Sequence, residues 1–202
     1  IDRSRGLGDV YKRQADTSVD WELARQVATK IGDRNGAVSS YHYGTLSPDF
    51  ERFTAQAEEL VAETTGLISQ MGNARGRVAD RPMWIDANIE SFQRLLNPLS
   101  KKLVNSDTSL LKEFGSKASG AEMGMLLGWM SGRVLGQYDL LIIEDENPED
   151  QDIVYYVGPN VLAIEKKYGF PPEEFRLWLA LHECTHRAQS VSYTHLTLPT
   201  IE

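Results

Sequence analysis

The chain has 202 residues, of which 41% are hydrophobic and 25% are charged, a composition typical of a globular protein with one core. Its formal net charge of −8 argues against nucleic acid as a partner, because phosphate binding favours a basic surface. The chain has no apolar run near the roughly 20 residues that span a bilayer, no apolar signal-peptide core and a single cysteine, Cys184. We therefore predict a cytoplasmic protein that binds neither nucleic acid nor membrane.

The two ends of the sequence do not continue the patterns of their neighbours. The first fourteen residues, IDRSRGLGDVYKRQ, and the last thirteen, SVSYTHLTLPTIE, closely resemble translated sequencing-adaptor tails. We treat residues 1–14 and 190–202 as adaptor-like artefacts and predict a single domain over residues 15–189. We also expect this domain to be a fragment that is truncated at its C-terminus.

Apolar residues at helical spacing predict three helices in the first half of the domain, over Val19–Gly32, Ser47–Gly72 and Asp80–Asn105. The pair Ser47-Pro48 is typical of a helix start. Pro98 is expected to kink or split the third helix, because proline lacks the amide proton and clashes with the preceding turn.

Glycines then recur at every fourth position, at Gly120, Gly124, Gly128, Gly132 and Gly136. On a helix this spacing forms a stripe without side chains, against which a second helix can pack closely. Each glycine costs a helix about 1 kcal/mol relative to alanine, so we expect the packing to offset that cost.

Two short segments rich in β-branched and aromatic residues, QYDLLIIED and DIVYYVGPN, predict a small β-hairpin. The acidic run between them, Glu144–Asp152, is interpreted as a solvated hairpin loop. The alternative is a role in binding calcium or a substrate amine, which is disfavoured because the carboxylate spacing matches no known metal-binding loop. A short helix is predicted over Gly158–Gly169, capped by Asn160 and ended by Gly169. A last helix begins at the two prolines, Pro171 and Pro172. The fold class is therefore mainly α with a small β-hairpin (α+β).

The last helix carries the spacing H-E-x-x-H, formed by His182, Glu183 and His186. Residues four apart on a helix lie on one face, so both imidazoles can bind one metal ion. Catalytic zinc takes three protein ligands and a water molecule, and Glu183 is placed to act as general base. Because the residues before the motif are apolar nearly all round, we predict that the motif lies on a buried helix.

The other residues of this stretch fit structural roles. Cys184 points away from the metal and is interpreted as a small buried residue. Thr185 is interpreted as a packing residue and Arg187 as a charge at the helix end. Two alternatives remain open: a surface helix with two unrelated histidines, and a non-catalytic protein whose structural zinc is closed by four protein ligands.

The third zinc ligand is missing from the motif. A histidine six residues after His186 would complete one known pattern, but that position is Ser192, and His195 is out of register. His42, Glu144 or Asp145 could supply the ligand from elsewhere in the chain. We prefer a ligand that lay downstream of Gln189, and we expect this chain to bind zinc weakly and to be inactive.

Three stretches carry a family resemblance: VDWELARQVA, GWMSGRVLGQYDLLI and VGPNVLAIEKKYGFPPEEFRLWLALHECTHRAQ. They resemble a family of zincin-like, zinc-dependent metalloproteases, mainly from actinobacteria and related bacteria and often labelled as associated with deazaflavin coenzyme biosynthesis. The resemblance implies a largely helical zincin-like fold, Zn²⁺ as cofactor, His182 and His186 as zinc ligands and Glu183 as general base. It implies a peptide or protein substrate whose identity is undefined.

Overall fold

The computed structural model of the chain describes residues 19–33, 43–67, 72–103, 109–138 and 152–193. The elements in these ranges are α1 (Trp21–Asp33), α2 (Tyr43–Thr65), β1 (Arg75–Ala79), α3 (Arg81–Leu103), α4 (Ser109–Ser131), β2 (Gly136–Tyr138), β3 (Ile153–Val157), α5 (Gly158–Tyr168) and α6 (Pro172–Tyr193). The predicted mainly helical fold with a small sheet is confirmed. None of the helices in the described ranges is both long and apolar enough to cross a lipid bilayer.

Helix α2 differs from the prediction at both ends. It begins at Tyr43, one turn before the predicted start, and Pro48 lies inside it. Leu46 is fully buried, so the extra turn contributes a side chain to the core. The helix ends at Thr65 because Gly66 has a left-handed φ of 73°, a conformation that glycine adopts readily. Of the kink or split predicted at Pro98, the split was wrong, since α3 continues through this residue, and the kink stays a prediction.

The sheet has the strand order β1-β3-β2, with β3 in the centre. Strand β3 pairs with β2 in antiparallel register, Gly136 opposite Tyr156, and this pairing confirms the hairpin partners that the sequence predicted. Of the segment QYDLLIIED, the part from residue 139 lies outside the described residues. Strand β3 also pairs with β1 in parallel, a strand that was not predicted because RGRVA has little apolar character.

Two compact units make up the chain. One combines the residues up to Arg34 with Ile85–Met130, and the other combines Asn35–Trp84 with the residues from Ser131 onwards. In the second unit, the Phe50 ring of α2 stacks on Tyr156 of β3 with ring centroids 3.9 Å apart. The buried hydroxyl groups of Thr54 and Tyr156 are hydrogen-bonded at 2.8 Å. These contacts fix α2 on the sheet.

Asn160 does not cap α5 as predicted. The cap residue is Val157, and the Asn160 side chain instead accepts a hydrogen bond from Arg81 at 2.9 Å. Its amide group donates to the carbonyl oxygens of Ser131 and Val134, both at 2.7 Å. The other end of α5 is as predicted, with Gly169 in the left-handed conformation.

The glycine stripe of α4 packs on α1 in the first unit. A Cβ atom on Gly124 would lie 2.5 Å from the Ala24 carbonyl oxygen, and one on Gly128 would lie 2.7 Å from Ile31 Cβ. Gly120 faces Asp20 in the same way. The predicted close helix packing is therefore confirmed for these three glycines. The prediction was wrong for Gly132 and Gly136, because α4 ends at Ser131 and Gly136 belongs to β2.

Replacing Gly124 by alanine is expected to destabilise the protein by about 1–3 kcal/mol, because the added methyl group overpacks the contact with α1. The matched control is Gly44→Ala, where nothing lies within 4 Å of the Cβ position. This control should be neutral or stabilising by up to about 1 kcal/mol, the helix preference of alanine over glycine. Urea unfolding of both variants measures the difference, and equal stabilities would contradict the packing of α4 on α1.

Candidate functional site

Helix α6 carries the H-E-x-x-H motif and begins as the sequence predicted. Pro172 opens it, and Glu173 and Glu174 lie in its first turn, where carboxylates interact favourably with the helix dipole. The hydroxyl groups of Thr185 and Ser190 donate to the carbonyl oxygens four residues earlier, at 2.7 and 2.9 Å. The helix continues to Tyr193, four residues past the predicted domain boundary.

The sequence predicted a buried helix, and α6 is buried on one face and exposed on the opposite face. The buried side chains recur at helical spacing: Arg176, Leu179, Ala180, Glu183, Cys184 and Arg187. Trp178, which was expected in the core, is 56% exposed. Thr185 is exposed too, so its predicted packing role was wrong. Cys184 is buried as predicted, and burial raises the pKa of its thiol to about 12.

The two motif histidines lie together on the exposed face. Their Nε2 atoms are 3.2 Å apart, and their rings are nearly perpendicular, with centroids at 4.6 Å. Two nitrogen ligands of a tetrahedral zinc ion, each at about 2.0–2.1 Å from the metal, lie roughly 3.3–3.4 Å apart. The His182 and His186 side chains therefore fit as two ligands of one metal ion, at a place that solvent and substrate can reach.

Glu183 lies beside the histidines on the buried side of the helix and packs against β2. A Cβ atom on Gly136 would lie only 2.7 Å from both Cγ and Oε1 of Glu183, so the absence of a side chain on Gly136 makes room for the carboxylate. Burial raises the pKa of Glu183 from 4.5 to about 7. No hydrogen bond or ion pair to this carboxylate is found within the described parts of the chain. Glu183 can therefore hold or release a proton near neutral pH.

A row of stacked rings leads from α5 to the histidines. Its members, the aromatic row, are Tyr168, Phe170, Phe175, Trp178, His182 and His186. Successive ring centroids lie 5.5, 5.1, 6.0, 5.7 and 4.6 Å apart. Sequence reasoning missed this row because it treated Phe175 and Trp178 as core residues. The separation of four residues between Trp178 and His182 could have revealed this row, because it places both rings on one face of the helix.

Arg187, directly after the second histidine, anchors the motif helix. It is 2% exposed, so its predicted role as a helix-end charge was wrong. Its guanidinium group donates to both carboxylate oxygens of Asp152, to Glu58 at 2.6 Å and to the Gly72 carbonyl oxygen at 2.9 Å. Asp152, the last residue of the acidic run, was expected in a solvated loop but is buried in this ion pair. The hydroxyl group of Tyr138 on β2 also donates a hydrogen bond to the Asp152 carboxylate, at 3.1 Å.

Arg176 anchors the same helix before the motif. It is 1% exposed and donates to both carboxylate oxygens of Glu165 on α5, at 2.7 and 3.0 Å. It also donates to Asp49 and Thr45 on α2, at 2.6 and 3.0 Å. The two buried arginines are eleven residues apart, about three helical turns, so they lie on the same face. They hold the motif between them, and helical periodicity could have revealed both.

The described residues offer no third side chain that could bind a metal ion together with His182 and His186. Within those residues no group of three or more histidine, cysteine, aspartate or glutamate side chains could hold a metal ion. The candidates His42, Glu144 and Asp145 lie outside the described residues. The origin of the third ligand stays a prediction.

Comparisons with known proteins bear on this site. A family model described as zincin-like metallopeptidase matches residues 19–197. Among solved structures, a provisionally assigned hydrolase with a novel fold from Chloroflexus aurantiacus is similar, with 32% sequence identity and a TM-score of 0.66. The match covers 88% of this chain and 56% of that one, so this chain spans little more than half of its structural relative. Among curated proteins no match was found.

Proposed function

The chain belongs to the zincin-like metallopeptidase family, and from this premise we propose that it is a zinc-dependent hydrolase of peptide bonds. His182 and His186 hold the zinc ion, and Glu183 is the general base. The observation that carries the proposal is the 3.2 Å separation of the two Nε2 atoms, with a buried carboxylate on the adjacent face of the same helix. We propose as well that the protein works in the cytoplasm.

Held by His182 and His186, a zinc ion would act as a Lewis acid that would polarise the scissile carbonyl group and make a water molecule easier to deprotonate. Glu183 accepts the proton of the attacking water and transfers it to the leaving amine. The missing side chain of Gly136 leaves room for this carboxylate beside β2.

The substrate in this proposal is an extended peptide that lies along β2. The segment IVYYV forms β3, which is paired on both sides and therefore offers no sheet edge to a peptide. Among the described strands, β2 lies at one edge of the sheet, and extended peptides commonly bind to proteins along a sheet edge. This position is next to Glu183, through Gly136.

The third ligand comes from a residue outside the described ranges. His42, Glu144, Asp145 and a residue downstream of Gln189 are the candidates, and the downstream position is our choice. With only two histidines fixed in place, the 202-residue chain is expected to bind zinc weakly and to be inactive. A longer family member that carries the same motif is expected to bind zinc tightly and to cleave peptides.

His182→Ala is expected to abolish zinc binding, because a single imidazole makes a poor site for zinc. The matched control is Thr185→Ala, on the same exposed face of α6, which should bind zinc like the parent chain. Zinc titration followed by metal analysis after gel filtration measures both. Unchanged zinc binding in His182→Ala would remove His182 from the ligand set. Tight stoichiometric binding by the parent chain would instead assign the third ligand to His42 or to an acidic residue.

A further inference from the structure

A cleft of about 460 Å³ lies beside the candidate site in the second unit. It is lined by Leu135, Phe170, Pro171, Glu174, Phe175 and Trp178. Five of these six residues are apolar, and the one charged side chain is a carboxylate. Ligand pockets in proteins commonly have volumes of about 300–1,000 Å³ and mainly apolar linings. The cleft is therefore large enough for a bulky side chain and unsuited to an acidic one.

Two separate elements connect the cleft to the proposed catalytic residues. On α6, Trp178 lies one turn before His182, and their rings are stacked with centroids 5.7 Å apart. Beside the sheet, Leu135 lines the cleft and directly precedes Gly136, which contacts Glu183. A peptide held along β2 with its scissile bond near His182 and Glu183 would thus bring a neighbouring side chain to the cleft.

The aromatic rings at the cleft are more exposed to solvent than rings that pack in a protein core. Trp178 is 56% exposed, Phe170 is 42% exposed, and Tyr168 next to it is 57% exposed. Exposed apolar side chains that lie next to one another often mark a binding site. Flat aromatic faces also favour an aromatic partner, which can stack on them in offset or edge-to-face geometry.

We propose that this cleft is a specificity subsite for a large aromatic side chain of the peptide substrate, close to the scissile bond. This inference rests on the proposed function for the position of the peptide. The phenyl or indole ring of the substrate packs against Phe170, Phe175 and Trp178, which line the cleft. Glu174 disfavours an acidic side chain there by charge repulsion.

The test uses the metal-free 202-residue chain, so that it does not depend on zinc or on hydrolysis. The probe is the tripeptide acetyl-Ala-Bpa-Ala-amide, in which Bpa is the photoreactive residue 4-benzoylphenylalanine. After irradiation, mass spectrometry locates the cross-links, which we expect on residues 170–178 or on Leu135. Acetyl-Ala-Phe-Ala-amide should compete at least tenfold better than the corresponding alanine or aspartate peptide.

Three variants test whether the aromatic rings of the cleft themselves bind the probe. Phe170→Ala and Trp178→Ala should each lower cross-linking severalfold, and Phe170 is informative because it makes no ring contact with His182. Trp129→Ala is the matched control, since Trp129 on α4 is 53% exposed and should have no effect. Equal competition by the three peptides, or cross-links elsewhere, would overturn the proposal. So would a concentration-dependent dimer that Trp178→Ala abolishes, because a second copy would then occupy the cleft.

The outcomes also separate the subsite from the proposed function. Aromatic-selective cross-linking in a full-length protein that binds no zinc would keep the subsite and reject the zinc hydrolase. Zinc-dependent hydrolysis without a preference for aromatic residues would keep the proposed function and reject the subsite.

Discussion

Glu183→Gln is expected to change activity and stability in opposite directions. In a full-length family member with the same motif, the variant should retain zinc and lose at least about 100-fold in kcat, the contribution of a positioned general base. In the metal-free 202-residue chain, the same substitution should stabilise the fold at pH 8. Peptide cleavage and urea unfolding measure the two effects separately.

The expected gain in stability follows from the raised pKa of Glu183. Folding raises this pKa from 4.5 to about 7, so between these pH values the folded state holds a proton that the unfolded state has released. The free energy of unfolding therefore falls as pH rises through this window, by roughly 3 kcal/mol at one pKa unit per 1.36 kcal/mol. Glutamine does not ionise, so Glu183→Gln avoids this loss above pH 7 and shows no gain below pH 4.5.

The matched control is Glu122→Gln, which changes an exposed glutamate on α4. It should leave the pH dependence of stability as it is in the parent chain. If Glu183→Gln and Glu122→Gln had the same effect at pH 8, burial of an ionised Glu183 would not cost stability. If hydrolysis in the full-length protein were unchanged in Glu183→Gln, the residue would not be the general base.

Arg187→Met is the second change for which we expect a large effect. It leaves Asp152 and Glu58 without their cation, with side chains only 9% and 14% exposed. Breaking a buried ion pair by removing one partner costs about 3–5 kcal/mol, because the remaining charge is left uncompensated. We therefore expect a large decrease in the free energy of unfolding, measured in urea at neutral pH.

Arg52→Met is the control for Arg187→Met. Arg52 pairs with Asp49 and Glu173, but its side chain is 55% exposed, and ion pairs at a surface contribute at most about 1 kcal/mol. Combining Arg187→Met with Asp152→Asn should cost less than the sum of the two single changes, since both break the same interaction. Additive costs, or a loss no larger than that of Arg52→Met, would contradict the anchoring role of Arg187.

The spacing of the motif was enough to predict how its histidines lie. A separation of four residues fixes two side chains on one face of any helix, and His182 and His186 do lie together. The glycine spacing likewise predicted that α4 packs closely on another helix, although the partner, α1, could not be named. These successes depend on periodicity within one element, which the local sequence determines.

The features that the sequence did not predict depend on contacts between distant segments. Strand β1 forms because β3 offers it a parallel partner, and its own residues have little strand character. Asp152 is buried because Arg187, 35 residues later, faces it. Gly136 was interpreted as part of a helix stripe, yet its function is to make room for Glu183.

The central claim is that His182 and His186 bind one zinc ion, and anomalous X-ray scattering tests it most directly. Crystals of the chain grown with excess zinc would be measured on both sides of the zinc absorption edge. We predict an anomalous peak at about 2.0–2.1 Å from both Nε2 atoms. Density for zinc at other residues, with the two imidazoles free of metal, would contradict the account.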